Sequence, residues 1–234
     1  MRGSLYLVNR THPLGEDLAP ADLVPADGGR PDILLRREAR DMLDRLLDAV
    51  DGRGAIVPVS GWRSQAEQQA IWDGALAEHG PAFTQTYVAR PGCSEHQTGL
   101  AIDLGENRPE VDFLCPAFPD NGPCGALRRR AADFGFVLRY PAGKEAVTGI
   151  GHEPWHFRYV GLPHARIMED RGLVLEEYLA WLRSFPAEAP LEGSGYALCY
   201  LPAGGEAAPP PGGRWKLEDT NDGGAVLTVW RDRP

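Results

Sequence analysis

Two short stretches carry the residue types that metal-assisted hydrolysis requires. Cys93-Ser94-Glu95-His96-Gln97-Thr98-Gly99-Leu100-Ala101-Ile102-Asp103-Leu104 holds a histidine and an aspartate seven positions apart, with a glycine between them. His152-Glu153-Pro154-Trp155-His156-Phe157-Arg158-Tyr159 follows about fifty residues later. A catalytic zinc ion takes three protein ligands and keeps a fourth position open. His96, Asp103 and His156 supply such a set, so one Zn2+ per chain is expected. Glu153 is left over beside His156, which suits a general base that takes a proton from water acidified by the metal and returns it to the departing amine. Arg63 falls where a strand hands over to a helix, a place from which a side chain can reach a cleft and stabilise a developing negative oxygen.

Each residue alone is weak evidence. A buried histidine or aspartate is more often a satisfied structural group, and an isolated arginine is more often on the surface. The argument rests on their combination within two dense segments.

His152-Glu153-Pro154-Trp155-His156 also matches H-E-x-x-H, which binds zinc when it lies on a helix, with both histidines one turn apart. Pro154 removes a helical hydrogen bond and clashes with the preceding turn. Trp155, Phe157 and Tyr159 alternate with His156 and Arg158, a strand period. On a strand His152 and His156 would stand about 13 Å apart. The helical reading is therefore rejected: His156 is taken as the ligand and His152 as a non-ligand.

The elements that must hold these groups follow from periodicity. Leu5, Leu7 and Asn9 alternate with Tyr6, Val8 and Arg10, which predicts a strand. Leu35, Ala39, Met42, Leu43, Leu46, Leu47 and Val50 predict a helix over 32–50, capped by Asp32 and closed by Gly52 and Gly54. Residues 55–60 are β-rich, and Pro58 places them at an edge or a bulge. Ser64 and Glu67 form an S-x-x-E capping box that starts a helix near Gln65, and His79-Gly80-Pro81 ends it. Leu100–Leu104 reads as a strand with Asp103 inside it, a charge costly to bury unless paired or metal-bound. Residues 105–124 form a Pro-rich connection long enough to suggest a functional lid. A short helix around 127–134, a strand at 136–140, the strand of the second segment, and helices from Pro163 and near Leu175 complete this part. Beyond 186, β-like pieces at 196–201, 214–217 and 225–230 surround a Pro-Gly loop at 208–213. The expected fold is α+β, a small antiparallel sheet flanked by helices. Residues 1–185 form the catalytic domain, and 186–234 a short β extension packed on it.

Bulk composition narrows the classes. The 234 residues are 43% hydrophobic, enough for a core, and carry a net charge of −9 with no Lys/Arg-rich block. Nucleic acid is thereby excluded as a partner, because phosphate neutralisation needs clustered cations. No run of apolar residues is long enough to span a membrane, and Met1–Asn9 lacks the pattern of a signal peptide. A cytoplasmic location is expected, or an extracytoplasmic one where an anchor precedes these residues. Cys93, Cys115, Cys124 and Cys199 show no C-x-x-C pair, which argues against a cysteine zinc site; free thiols are expected in a reducing compartment, and a Cys115–Cys124 bridge is the alternative in an oxidising one. His12 and His79 stand alone and read as surface residues.

S-x-H-x-x-G-x-A-x-D, from Ser94 to Asp103, and E-x-W-H, from Glu153 to His156, resemble the zinc D,D-peptidases of the vancomycin-resistance group, the VanX, VanY and two-function VanXY types. "PVSGWRS" with Gln68 five residues beyond Arg63, "SEHQTGLAIDLG" and "GHEPWHFRYVG" extend the likeness over residues 5–183, and "VLTVW" resembles the end of longer VanXY-type chains. The resemblance implies a Hedgehog/D,D-peptidase-like fold, zinc on His96, Asp103 and His156, Glu153 as base and Arg63 at the transition state. Ser94 and Gln68 would hold the terminal D-alanine. Substrates would be free D-Ala-D-Ala and peptidoglycan precursor peptides ending in it, with the VanXY type the nearest. Competing readings are an L,D-carboxypeptidase or L-Ala-D-Glu endopeptidase, and a binding module with structural zinc. The last has no use for Glu153 and Arg63. Whether the chain forms a homodimer is left open by the sequence.

Overall fold

The computed structural model describes residues 3–15, 19–206 and 213–231. The predicted loop at 208–213 falls almost wholly outside them. Contacts divide the chain into two compact units, residues 8–174 and residues 1–7 with 175–234.

The larger unit is built on a four-stranded antiparallel sheet. Its strands β3 (Ile56–Ser60), β4 (Ala101–Glu106), β5 (Phe136–Tyr140) and β6 (Glu153–Tyr159) lie in the order β3-β4-β6-β5. A hairpin of β1 (Leu23–Asp27) and β2 (Arg30–Arg36) precedes it and leads into helix α1 (Arg37–Ala49). Ile33, Leu35, Ala39, Leu43 and Leu46 join Leu100, Ile102, Leu104, Phe136 and Phe157 in one buried core. β4 and β6 are central and buried on both faces. Pro58 sits in the edge strand β3, beside a register shift between Pro58 and Ser60, where its missing N–H costs no interior hydrogen bond.

Three local expectations change. The helix predicted over 32–50 starts at Arg37, and residues 30–36 are strand. Ile33 and Leu35 are buried two apart, a strand period that a helical count absorbs just as easily, and Gly28-Gly29 turns the chain into the hairpin. The segment at 5–9 forms no strand; Leu5, Leu7 and Val8 are all buried rather than alternating, and the Leu7 amide donates to the Asn221 side chain. Helix α2 (Gln65–Tyr87) does not end at Gly80 but breaks there, with φ 80° and ψ 174°, and Pro81 opens a second helical piece. The Ser64–Glu67 capping box is present as predicted: Glu67 N–H donates to Ser64 Oγ at 3.2 Å and Ser64 N–H to Glu67 Oε2 at 2.8 Å.

Helix α3 (Gly122–Arg130) and a 3-10 turn (Ala131–Phe134) lead into β5, and the single turn α4 (Glu145–Thr148) precedes β6. Helix α5 (His164–Arg171) follows β6. In the smaller unit, helix α6 (Leu175–Leu182) is followed by β7 (Leu191–Gly193), β8 (Tyr196–Leu201), β9 (Arg214–Asp219) and β10 (Ala225–Trp230). These four strands form an antiparallel sheet ordered β7-β8-β10-β9. Among the described residues no helix is long and apolar enough to cross a membrane, and the four cysteines are free thiols.

Candidate metal centre

Cross-strand register brings the two sequence segments together. Asp103 of β4 lies directly opposite His156 of β6, and on its other side opposite Ser60 of β3. His96 arrives on a 3-10 turn (Glu95–Thr98) that closes at Gly99 in the left-handed region, φ 68°. A side chain at 99 would be strained by that φ and would meet Leu23 at 2.9 Å. The glycine between His96 and Asp103 is therefore what lets the chain turn from the loop into β4.

One ligand atom from each of His96, Asp103 and His156 lies within 4.8 Å of the others, all three residues being buried. His96 Nε2 stands 3.1 Å from Asp103 Oδ2, and His156 Nδ1 stands 2.8 Å from Asp103 Oδ1. The two rings meet edge to face, with centroids 5.0 Å apart. The far nitrogen of His96, Nδ1, is 2.7 Å from the Gly61 carbonyl oxygen. That contact fixes the ring with Nε2 toward Asp103. Two imidazole nitrogens and a carboxylate oxygen, buried and convergent, are a donor set that fits a zinc-type ion. They could hold a metal.

The electrostatics are those of a compact charged pocket. Burial drives His96 down to about 4, helped by the nearby Arg63 charge. For His156 burial pulls the same way, but Asp103, together with Glu95 and Glu153, outweighs it and raises the ring to about 9. Burial likewise opposes ionisation of Asp103, yet His96 and His156 hold it well below the usual carboxylate range.

Glu153 opens β6 three residues before His156, and its Oε2 lies 3.9 Å from His156 Nδ1. It does not belong to the convergent triad. Burial pushes it up to about 8, with the Asp103 charge adding to the rise and His156 and Arg63 opposing it. Arg63, in the short link between β3 and α2, places Nη2 3.9 Å from Asp103 Oδ2. Ser94 and Gln68 are buried in the wall of the same cleft. Gln68 Nε2 donates to the Ala89 carbonyl at 2.8 Å, while its Oε1 has no hydrogen-bond partner. Phe113 and Leu114, from the 105–124 connection, also line this cleft.

The other four histidines stand apart from the triad, His164 being buried at the start of α5. His152 Nδ1 is 2.9 Å from the Tyr140 carbonyl, His12 contacts Asn9 and Thr11, and His79 packs on Phe83. Proline at 154 does keep this segment a strand, so the H-E-x-x-H pattern has no helical geometry here.

The structure adds groups that the sequence reading passed over. Tyr140 packs on His156 with ring centroids 4.9 Å apart and lines the cleft. Glu95, Arg139 and Arg158 are fully buried behind the histidines. The signal for the arginines was available: "FVLRY" and "WHFRY" each place a cation inside an apolar strand, as "LAIDL" places an anion.

Comparison with known proteins places the chain in a family. The profile of the VanY family, D-alanyl-D-alanine carboxypeptidase, matches residues 32–162. The bifunctional D-Ala-D-Ala dipeptidase and D-Ala-D-Ala carboxypeptidase VanXYC of Enterococcus gallinarum is 42% identical over 180 residues, 76% of this chain and 95% of that protein. The crystal structure of the vancomycin-resistance D,D-dipeptidase VanXYg in complex with a D-Ala-D-Ala phosphinate analogue is also 42% identical. It superposes with a TM-score of 0.92 over 98% of this chain and 94% of the other. A mutant of the D,D-pentapeptidase VanY from a VanB-type resistance cassette, in complex with Zn(II), is 33% identical with a TM-score of 0.60, over 75% of this chain and 98% of that one. With a family profile across more than half its length and relatives this similar, the chain belongs to the VanY family of D-alanyl-D-alanine carboxypeptidases.

Proposed function

We propose that this protein is a zinc-dependent D,D-peptidase that hydrolyses the D-Ala-D-Ala bond both in the free dipeptide and at the C-terminus of peptidoglycan precursor pentapeptides. What carries the reading is the convergence of His96, Asp103 and His156 in one cleft with Glu153 and Arg63. Similarity to the bifunctional VanXYC over nearly all of that protein supports the pair of substrates.

His96 Nε2, an Asp103 carboxylate oxygen and His156 Nδ1 would hold one Zn2+ per chain. Bound there, zinc supplies Lewis acidity that polarises the scissile carbonyl and acidifies water. Glu153 takes the proton from the attacking water and delivers it to the departing D-alanine amine. Its place on the same strand as His156, three residues away, keeps it beside the reacting atoms without making it a ligand. Arg63 stabilises the oxygen that gains negative charge as the carbonyl becomes tetrahedral. Ser94 and the free Oε1 of Gln68 offer polar contacts to the terminal D-alanine. Every residue in these roles lies between Arg63 and His156, so we assign the chemistry to residues 1–185 and none of it to the 186–234 extension.

The deciding experiment follows D-alanine release from D-Ala-D-Ala and from a UDP-MurNAc-pentapeptide, with and without a chelator. Release from both, abolished by the chelator and restored by Zn2+, is expected. Undiminished release from the chelated protein, or cleavage of defined muropeptides only at L,D or L-Ala-D-Glu bonds, would overturn the reading.

Arg63 has its own test. Arg63→Met should lower kcat by about 10²- to 10³-fold, the usual loss for one oxyanion donor, with zinc content unchanged. A rise in KM at full kcat would instead make Arg63 a ground-state binding group.

A further inference from the structure

Glu95, Arg139 and Arg158 make a charged cluster that none of the steps above uses. Glu95 is next to His96 on the 3-10 turn, and its side chain is completely buried. Arg139 comes from β5 and Arg158 from β6. Arg139 Nε donates to Glu95 Oε1 at 2.8 Å, and Arg158 Nη1 lies 3.1 Å from the same oxygen. The second oxygen, Oε2, has no hydrogen bond. It faces His156 Nε2 at 3.6 Å, and that nitrogen has no hydrogen bond either. His156 already presents its other nitrogen, Nδ1, to Asp103.

Stability gives no reason to keep three buried ions. Apolar side chains of similar size often do as well or better in such places, whereas removing one partner of a buried cluster is costly. Direction is what the cluster supplies. Two guanidiniums on one oxygen fix the carboxylate plane, and the free oxygen then points at the back of an imidazole whose front joins the proposed ligand set. Metal-bound histidines regularly donate their second ring N–H to a carboxylate, which fixes the tautomer and the ring orientation.

We infer that Glu95 is a positioning residue for the metal centre: it accepts the Nε2–H of His156, so that this ring offers Nδ1 as its ligand atom, and Arg139 and Arg158 hold the carboxylate at that post. The inference rests on the reading of His156 as a ligand. It explains why His156, alone of the two ligand histidines, has no backbone carbonyl behind it: His96 uses Gly61 for the same purpose. The two rings are thus set by different devices and present different nitrogens.

The zinc-loaded full chain provides the test. In the 15N-resolved proton spectrum, His156 should show a solvent-protected Nε2–H shifted downfield by a carboxylate acceptor. Glu95→Gln keeps an oxygen in place but loses its charge. That proton should move upfield and the zinc Kd, from competition with a chelator, should rise about 10-fold. Glu95→Ala should lose the signal to exchange and weaken zinc by as much as about 100-fold. KM for D-Ala-D-Ala at saturating zinc should stay near its original value in both. A purely structural role for Glu95 would alter the unfolding midpoint and leave the imidazole proton of the folded E95Q protein where it was. The inference fails if the wild-type His156 proton sits on Nδ1, or if E95Q binds zinc as tightly as wild type with an unmoved Nε2–H. Should Glu95→Ala not fold, the wild-type spectrum and E95Q decide alone. His156→Ala separates the two levels of argument. If it binds zinc normally, the ligand reading itself is wrong; if it loses zinc while E95Q does not, only the role of Glu95 falls.

Discussion

Replacing Glu153 by alanine is expected to leave zinc in place and remove nearly all turnover. The carboxylate lies 3.9 Å from His156 Nδ1 but outside the convergent trio of His96, Asp103 and His156, so an ion held by that trio would keep its anchors. What is lost is the only base so placed in the proposed mechanism. General acid–base groups contribute roughly 10²- to 10⁴-fold, and one residue that both takes and returns the proton should sit toward the upper end. Zinc content by elemental analysis and D-alanine release are read on the same sample. Loss of zinc with surviving activity would make Glu153 a ligand and remove it as the base.

The same residue predicts an opposite effect on the stability of the metal-free protein. Burial raises its carboxyl from 4.5 to about 8, so folding favours the protonated form. Its contribution is fully present below pH 4.5 and is lost as the pH rises through 8. Glu153→Gln, permanently neutral, escapes that loss. Its stability relative to wild type should grow across this window and level off above it, at a limit of about 5 kcal/mol. Denaturant titrations of chelated protein at pH 5 and pH 9 measure the difference, and a gap that does not widen with pH would contradict the buried-acid picture. A group that destabilises the fold and is required for turnover is one kept for chemistry.

How much of this was legible in the sequence depends on what each feature requires. The convergent trio His96, Asp103 and His156 could be picked out from residue type and spacing alone, because few segments put two histidines and an intrastrand aspartate near a spare glutamate. The β6 strand could be read as well: Pro154 and the alternating aromatics exclude a helix locally. The start of α1 could not, because Ile33 and Leu35 suit either period and only pairing with β1 decides between them. Arg139 and Arg158 were visible as cations in apolar strands, but their common partner was not. Glu95 becomes that partner only when the 3-10 turn packs against β5 and β6, a tertiary fact without a local signature. The same holds for the break in α2: a Gly-Pro pair marks the site of a break, but not whether helix resumes beyond it.

The sharpest contrast is expected between the two histidines of the H-E-x-x-H pattern. His156→Ala removes one of the three proposed ligands and should abolish zinc binding at micromolar metal and, with it, all measurable activity. His152→Ala should keep both close to wild type. The reason is strand geometry. His156 pairs with Asp103 across the sheet and is buried, while His152 lies exposed just before β6 with Nδ1 2.9 Å from the Tyr140 carbonyl. On a helix the two would share a face and fail together; on this strand Pro154 keeps them apart. Zinc stoichiometry for the two variants, measured side by side after dialysis against a weak chelator, separates the cases. Equal loss from both would restore the helical zinc motif and require the backbone from 152 to 156 to be re-formed around Pro154, which its missing N–H opposes.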